Sequence, residues 1–300
     1  MKASIALVSA RAAHGLDEDM PPLIAAFAAL GVRAQIEDWD DDAADWAIYD
    51  AALLRSAWDY TERLPQFLAW VERTASLTTL LNPPAVVRWN ADKHYLLALA
   101  AAGLPIVPSS FAEPGAPEAR VLEQFLAEHV CAELVVKPAV GAGSRDTRRH
   151  AASATQEILG HMRALLSTGR SLMLQPYLAG VDAHGETALI FIAGRFSHSI
   201  RKAALLPPAA PSTRQLFAAE TINPRAPGAD ELDLARRLLA RLPFEEPLYA
   251  RVDLIPGPRA APCLLELELI EPSLFLAHAP GSAERLAQAV LTAALKGRVK

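Results

Sequence analysis

Short apolar runs alternate with helix-like segments in the first 83 residues, and this order limits the possible folds more than any other feature of the chain. Residues 4–10 (SIALVSA) have the composition of a buried strand, and Pro21 and Pro22 begin an Ala/Leu-rich helix that ends near Gly31. The segments VRAQIEDW and AIYDAALLRSAWDY follow, and each contains a further strand. Because strands joined through helices usually lie side by side in one direction, the alternation predicts a parallel sheet covered by helices.

The rest of the chain has a mixed pattern. A Pro-rich stretch at residues 81–90 (LNPPAVVRWN) is typical of a linker, and near the end a PGPRAAP turn joins YARVDLI to CLLELELI as a predicted hairpin. A chain of 300 residues with 52% hydrophobic content is long enough for two or three units. We predict an α/β (in part α+β) protein that comprises an N-terminal α/β unit at residues 1–83, a central unit with a glycine loop at 84–175 and a C-terminal unit at 176–300.

Charge and composition exclude several classes of protein. The net charge of −5 argues against a nucleic-acid binder. No apolar run approaches the roughly 20 residues of a membrane span, and the N-terminus lacks the apolar region and cleavage site of a secretory signal. The cysteines, Cys131 and Cys263, form no CxxC pair, which indicates a reducing compartment. We expect a cytoplasmic protein that binds a small molecule and neither nucleic acid nor membrane; base rates favour a homodimer.

Several common catalytic motifs are absent from the sequence. There is no GxxxxGK(S/T) loop, no GxGxxG on a strand, no HExxH and no GxSxG. The eight histidines are scattered without the spacing of metal ligands. What remains is chemistry that uses lysines, carboxylates and a glycine loop.

Lysine is rare in this chain, so its internal positions are informative. Of the 29 basic residues only six are lysines, and Lys93, Lys137 and Lys202 are the three that lie away from the termini. A lysine ammonium is a compact point charge that suits contacts with phosphate groups. We therefore predict phosphate contacts for these three residues; the alternative is that one or two of them are simply solvated.

The loop after Lys137 strengthens this prediction. Lys137 ends a strand-like segment, and Gly141, Gly143 and Ser144 follow it. Glycines let backbone N–H groups approach an anion closely, and a serine adds a hydroxyl donor. Further on, the strand–turn segment LQPYLAG at residues 174–180 could offer backbone groups to an adenine ring, with Gln175 beside its amino group. The alternative for this segment is an ordinary turn.

The predicted hairpin carries paired acids. Alternate residues of a strand share a face, so Arg251 lies beside Asp253 and Glu266 beside Glu268. The hairpin would bring the three carboxylates together, and an all-oxygen site of this kind suits Mg²⁺. The alternative is a salt-bridge network that includes Arg251 and Lys202.

Two further groups are candidates for substrate contacts. Arg55, Ser56 and Asp59 lie at the end of a predicted N-terminal strand, and ligands gather at the carboxyl ends of strands in open parallel sheets. For Arg55 the alternative is a structural ion pair, and Trp58 has the character of a core residue. Glu271 and Ser273 follow the acidic strand directly, and Glu271 falls on its opposite face or past its end.

Several motifs follow one another along the chain: Lys93, Lys137 with its glycine loop, Gln-Pro-Tyr-Leu, Gly185-Glu186, Arg-x-Asp and Glu-x-Glu. In this order they resemble the motifs of the ATP-grasp ligases over roughly residues 85–295. The broader family, which includes D-alanine–D-alanine ligase and glutathione synthetase, usually ends its metal motif as Glu-x-Asn. This chain has Glu268 at the Asn position, which adds one negative charge. The stretches LLRSAWDY, LNPP…WNADKHYLL and ELELIEPSLF look more like one branch, the O-ureido-serine cyclo-ligases of cycloserine biosynthesis.

The resemblance implies an ATP-grasp fold with an N-terminal parallel α/β (pre-ATP-grasp) domain. It also implies an ATP- and Mg²⁺-dependent ligase that activates a small amino-acid-like carboxylate as an acyl phosphate for attack by an amine-type nucleophile. In the cyclo-ligase branch the nucleophile belongs to the same molecule. The alternatives are a phosphotransferase on the same scaffold, a ligase like the dipeptide or glutathione synthetases, and a nucleotide-binding protein without activity.

The resemblance also implies roles for individual residues. The expected ATP contacts are Lys93, Lys137, Gly141, Gly143, Ser144, Gln175, Tyr177 and Leu178, with Glu186 or its rival Asp182 at the ribose. One or two Mg²⁺ ions, or Mn²⁺ in their place, would bind Asp253, Glu266 and Glu268. Arg251 and Lys202 are the expected catalytic residues, with Arg251 on the acyl-phosphate oxygens, and the loop at 141–146 would close over the phosphates.

Overall fold

A computed structural model describes residues 3–207, 213, 215–217 and 220–297. Its first sheet has four strands in the order β2-β1-β3-β4, and every pairing is parallel. The strands are Ser4–Ser9 (β1), Arg33–Asp38 (β2), Ala51–Ser56 (β3) and Thr79–Leu81 (β4), and the helices between them are Met20–Ala29 (α1) and Leu64–Leu77 (α2). The predicted parallel sheet is therefore confirmed, and the proline pair lies in the first turn of α1.

The stretch expected to be a linker is instead structured and packed. It continues into a helix, Pro84–Asn90 (α3), in which Val86 and Val87 are fully buried. The prolines did not signal a flexible segment, because Pro84 occupies the first helical turn, where its missing N–H costs nothing. A second short helix, Tyr95–Ala101 (α4), follows.

Two antiparallel sheets form the rest of the chain. One, in the order β5-β8-β6-β7, contains Ser110–Ala112 (β5), Glu133–Pro138 (β6), Arg148–Ala151 (β7) and Leu172–Pro176 (β8), with helices Glu118–Glu128 (α5) and Thr155–Leu166 (α6). The other has the order β11-β10-β9-β12-β13. After the helix Gly180–His184 (α7), it contains Glu186–Ile192 (β9), Arg195–Lys202 (β10), Ile222–Pro224 (β11), Tyr249–Pro256 (β12) and Pro262–Glu268 (β13), with helices Ala229–Leu239 (α8) and Ser282–Gly297 (α9).

The N- and C-terminal parts share one hydrophobic core. Leu23 and Phe27 of α1 belong to the same buried cluster as Leu286 and Val290 of α9, and Ile190 of β9 lies in it too. Burial of such large apolar side chains is the main force that stabilises a packed interface. The parallel sheet and the five-stranded sheet are therefore held as one body. Within the described residues, no helix is both long and apolar enough to cross a membrane.

Asparagine side chains join the segment around α3 to the acidic hairpin. Asn82 donates to the carbonyl oxygens of Tyr249 (3.0 Å) and Leu269 (2.8 Å). Asn90 donates to the Leu267 carbonyl oxygen at 2.8 Å and accepts from the Leu269 N–H at 2.7 Å. Both side chains are buried, so these hydrogen bonds fix the position of β13 relative to α3.

Candidate active site

A cavity of about 300 Å³ lies beside the hairpin of β12 and β13. Its wall brings together most of the residues predicted from the sequence. They are Lys93, Lys137, Gly141, Gly143, Ser144, Gln175, Tyr177, Leu178, Glu186, Lys202, Arg251, Asp253, Glu266, Glu268, Glu271 and Ser273. Four predicted residues, Arg55, Ser56, Asp59 and Asp182, are not part of this wall.

The hairpin has the register that the period-two pattern predicts. β12 and β13 are antiparallel, with Asp253 opposite Glu266 and Arg251 opposite Glu268. A bulge after Asp253 leaves Leu265 of β13 as an extra residue in the ladder, beyond the acidic positions. The acidic side chains therefore meet on one face, while Leu254, Leu264 and Leu267 lie in the core.

These acids take part in a dense network of ion pairs. Lys202 Nζ lies 2.7 Å from Asp253 Oδ2 and 2.8 Å from Glu186 Oε2. Arg251 Nη2 lies 2.9 Å from Asp253 Oδ2 and also contacts Glu268. The salt-bridge network that the sequence left open as an alternative is thus present, and it occupies the same face as the predicted metal ligands.

Negative charge still exceeds what the basic residues neutralise. Burial raises the pKa of Glu268 to about 7, because Arg251 only partly opposes the desolvation and because Asp253 and Glu266 add repulsion. Burial also favours a higher pKa for Asp253. The positive charges of Arg251 and Lys202 outweigh this effect and hold the pKa of Asp253 below its ordinary value. The carboxylate face can therefore accept a further cation.

The carboxylate oxygens of the cavity wall are suited to Mg²⁺ that is bound together with a phosphate group. Among the described residues, no group of three or more His, Cys, Asp or Glu side chains is arranged to hold a metal ion. Mg²⁺ usually takes one or two carboxylates and completes its octahedron with phosphate oxygens and water. Asp253, Glu266 and Glu268 offer such oxygens on a cavity wall with excess negative charge, so they fit an ion that arrives with a phosphate ligand.

Two buried lysines face the same cavity from the other side. Lys93 Nζ lies 3.0 Å from Glu266 Oε1 and donates to the Gly141 carbonyl oxygen at 2.7 Å. Lys137, at the end of β6, makes no ion pair in the described part of the chain, and burial lowers its pKa. A buried ammonium without a carboxylate partner is suited to an anionic ligand.

The predicted adenine and ribose contacts divide into two groups. Gln175 is buried at the end of β8, and its amide donates to Ser109 Oγ at 2.9 Å. Asp182 accepts from the Tyr177 hydroxyl at 2.6 Å and pairs with Arg149 at 3.0 Å, so its carboxylate is already occupied outside the cavity. Glu186 lies on the wall, and the geometry therefore favours Glu186 over Asp182 as the residue that faces a ligand.

The cluster around Arg55 lies beneath the cavity. Arg55 is fully buried and donates to Asp19 Oδ2 at 3.1 Å and to the Pro272 carbonyl oxygen at 3.2 Å. Ser56 is also fully buried and pairs with Ser9, and Asp59 accepts from the Trp39 indole at 2.8 Å. The geometry favours a structural ion pair over direct substrate binding for Arg55.

Two aromatic residues of the cavity wall were not among the predicted site residues. Trp58, predicted to be a core residue, lines the cavity together with Tyr60. The Trp58 indole donates to the Glu271 carbonyl oxygen at 3.0 Å, and Phe217 meets its ring edge-on at 5.3 Å between centroids. Their position in the sequence could have indicated this location, because Trp58 and Tyr60 directly follow the strand end that carries Arg55.

Arg145 was also not among the predicted site residues, and its hydrogen bonds attach the glycine loop to the N-terminal part. Its guanidinium donates to Glu62 Oε1 at 2.5 Å, to Thr61 Oγ1 at 2.7 Å and to the Trp58 carbonyl oxygen at 3.1 Å. On the other side of the loop, a Cβ on Gly143 would lie 2.2 Å from the Leu216 carbonyl oxygen, so only glycine permits this close approach. The loop thus forms a roof between the N-terminal part and the 215–217 segment.

Comparison with known proteins gives a consistent family. A family model described as the N-terminal domain of D-cycloserine synthetase DcsG matches residues 5–82. The cycloserine biosynthesis protein DcsG of Streptomyces lavendulae is 39% identical over 292 residues, which cover 95% of this chain and 97% of that protein.

Solved structures agree with the sequence comparison. The crystal structure of D-cycloserine synthetase DcsG superimposes with a TM-score of 0.90 and 37% identity, over 98% of this chain and all of that one. D-alanine–D-alanine ligase from Bacillus anthracis has a TM-score of 0.70 at 15% identity, and its likeness, over 100% of this chain and 99% of that one, concerns the fold alone. The ATP-grasp ligase PsnB, at 20% identity and a TM-score of 0.64, again shares the fold, over 98% of this chain and 100% of that one.

Proposed function

The chain belongs to the DcsG family of ATP-grasp ligases and is an ATP-dependent ligase, and from this premise we propose that it activates a small amino-acid-like carboxylate as an acyl phosphate. A substrate carboxylate oxygen attacks the γ-phosphorus of ATP and ADP leaves. A nitrogen nucleophile then attacks the carbonyl carbon and the C–N bond forms. The C–O bond to the phosphate breaks, phosphate leaves with the bridging oxygen and the bonding electron pair, and the nitrogen gives up one proton.

One observation carries this proposal: buried cations suited to phosphate and carboxylates suited to Mg²⁺ share one cavity wall. Phosphoryl transfer needs positioning and charge neutralisation more than a protein nucleophile, and this wall offers both. Lys93 and Lys137 would bind the phosphates, and Gln175, Tyr177 and Leu178 would line the adenine, with Glu186 at the ribose. Asp253, Glu266 and Glu268 would hold one or two Mg²⁺ ions, with Mn²⁺ as a substitute; bound metal neutralises phosphate charge.

Arg251 is the residue we assign to the reacting carboxylate. Its Nη1 donates to the Ser273 carbonyl oxygen at 3.1 Å, while Nε and Nη2 hold Asp253. A guanidinium fixed in this way can stabilise charge on the acyl-phosphate oxygens without having to reorganise. Lys202 keeps Asp253 ionised and so supports the same site. The roof formed by the glycine loop would exclude water, which otherwise hydrolyses an acyl phosphate.

The nature of the relatives supports an intramolecular second step. Those relatives are named for the synthesis of D-cycloserine, a cyclic product, and the identity extends over 95% of this chain. We propose that the attacking nitrogen belongs to the same molecule as the activated carboxylate, so that the product is a ring.

Hydroxylamine trapping tests the acyl phosphate. ADP release is measured with Mg²⁺ and a panel of amino acids that includes O-ureido-serine, with and without hydroxylamine. We expect a hydroxamate in place of the ligated product, because hydroxylamine intercepts an acyl phosphate. A stable phosphorylated product that never forms a C–N bond would instead identify a phosphotransferase.

A further inference from the structure

Four acidic side chains are buried in the part of the chain that the structure describes, namely Asp17, Asp19, Asp253 and Glu271. The two N-terminal acids lie 3.5 and 3.1 Å from the guanidinium of Arg55. Asp253 lies between Lys202 and Arg251. Glu271 differs from the other three, because no Arg or Lys nitrogen in these described ranges lies within salt-bridge distance of it.

A buried carboxylate without a cation is costly. Desolvation penalises its charged form, and the neighbouring Glu268 adds repulsion, so the pKa of Glu271 rises to about 8. Its hydrogen-bond partner, the hydroxyl of Tyr60, is neutral and cannot replace a counter-ion. The ligand-free Glu271 therefore keeps its proton at neutral pH, and a ligand cation at this wall would displace that proton and form the ion pair that the other buried acids already have within the fold.

The surroundings of Glu271 suit an ammonium group. The residue lies on the cavity wall three positions after the last proposed metal ligand, and Trp58, Tyr60 and Phe275 line the same cavity. The hydrogen bond from the Trp58 indole to the Glu271 backbone fixes this wall. Aromatic faces and a carboxylate together form a favourable environment for a cationic nitrogen.

Building on the proposed function, we infer that Glu271 binds the ammonium group of the substrate and selects an amino acid over the corresponding simple carboxylic acid. Arg251 and the metal-binding carboxylates then handle the reacting carboxyl group, while Glu271 holds the amino group. The substrate class is therefore a free α- or β-amino acid, and an N-acylated or desamino acid is excluded.

A matched ligand pair tests this inference without turnover. The probes are O-ureido-serine and 3-(ureidooxy)propanoate, which lacks only the amino group. Calorimetry in the presence of Mg²⁺ and a non-hydrolysable ATP analogue gives the Kd of each. We expect the wild type to bind the amino acid on the order of 100-fold more tightly, because a site built for a polar group discriminates strongly against its absence.

Variants separate Glu271 from general charge in the cavity. Glu271→Gln is isosteric and should abolish the preference, mainly by weakening binding of the amino acid, while Glu271→Asp should restore part of it. Glu18→Gln is the control, because Glu18 lines the same cavity but is exposed to solvent. It should retain the wild-type preference.

Two results would overturn the inference: equal wild-type affinity for the two probes, or an undiminished preference in Glu271→Gln. Both are measured as binding constants and do not depend on an acyl phosphate. Failure of the proposed function has a different signature, in which the amino acid binds with the expected preference but no hydroxamate forms.

Discussion

Arg145 and Glu62 join the glycine loop to the N-terminal part, with the guanidinium 2.5 Å from a carboxylate oxygen. The two residues lie 83 positions apart in the chain. The Arg145 side chain is only 16% exposed, whereas that of Glu62 is 68% exposed, so the ion pair lies at the surface and the guanidinium is buried behind it. Because Trp58 and Tyr60 lie in the same turn as Glu62, this contact joins the aromatic part of the cavity wall to the glycine loop.

Loss of this contact should uncouple ATP hydrolysis from ligation. In Arg145→Ala the loop loses three hydrogen bonds: the ion pair with the exposed Glu62 contributes at most about 1 kcal/mol, and the part-buried bonds to Thr61 and to the Trp58 carbonyl oxygen account for most of the loss. We expect the ratio of ADP released to product formed to rise by about tenfold or more, since water then reaches the acyl phosphate. Arg170→Ala is the matched control: Arg170 pairs with Asp146 of the same loop at 2.7 Å but is on its exposed side. An unchanged ratio in Arg145→Ala would show that the roof does not exclude water.

Glu266→Gln should abolish turnover and leave the fold intact. The change removes a proposed metal ligand and the partner of Lys93, and we expect kcat to fall by at least about 100-fold. Glu266 is partly exposed in the cavity, but the change leaves the buried Lys93 without its carboxylate, so we expect a lower melting temperature with the fold intact. Glu123→Gln, on the exposed face of α5, controls for loss of one charge. Normal turnover in Glu266→Gln would remove this residue from the metal site.

The stability of the ligand-free protein should fall as the pH rises from about 5 to about 8. The pKa of Glu271 is about 8 in the folded state, against an ordinary value of 4.5. Between these values the folded protein holds a proton that the unfolded chain has lost, so the free energy of unfolding decreases by up to about 1.4 kcal/mol per pH unit. Chemical denaturation at several pH values measures this slope. Glu271→Gln should flatten it, and an identical slope in the variant would assign the effect to other groups, Glu268 among them.

Arg55→Met should act on stability and not on substrate affinity. Removing the guanidinium leaves Asp17 and Asp19 buried without a counter-ion, a loss that typically costs about 3–5 kcal/mol. Asp19 also accepts from the backbone N–H groups of Leu274 and Leu276, so both segments should loosen. Denaturant titration measures the loss, and the KM for the amino-acid substrate is the comparison. A raised KM with unchanged stability would return Arg55 to the substrate site.

Local patterns were sufficient to predict the N-terminal parallel sheet and the acidic hairpin, but not the pairing of the central antiparallel sheet. The alternation of Arg251 with Asp253, and of Glu266 with Glu268, sets which side chains share a face, and a short turn leaves only an antiparallel pairing. Lys137 and its glycines are contiguous in sequence, so their common location needed no long-range information.

The remaining features depend on contacts between distant segments. Nothing near Arg55 in the sequence indicates that the chain at residue 272 covers it. The same holds for Arg145, whose partners lie 83 to 87 positions away. The prolines of the 81–90 stretch are compatible with either a flexible linker or the start of a helix. Burial of Val86 and Val87, which is visible only in the folded protein, identifies the helix.

The asparagines that hold β13 also protect an open sheet edge. β13 is the last strand of its sheet, so its outer N–H and C=O groups could pair with a strand of another molecule. The Asn90 side chain accepts a hydrogen bond from the N–H of Leu269 and donates one to the carbonyl oxygen of Leu267. The Tyr95 hydroxyl accepts from the N–H of Leu267 and donates to its carbonyl oxygen. Side chains thus take the place of a neighbouring strand at Leu267 and Leu269, and the backbone at Pro105 and Val107 pairs with Leu264. We therefore expect the strand that carries the acidic residues to be protected from edge-to-edge pairing with a second copy.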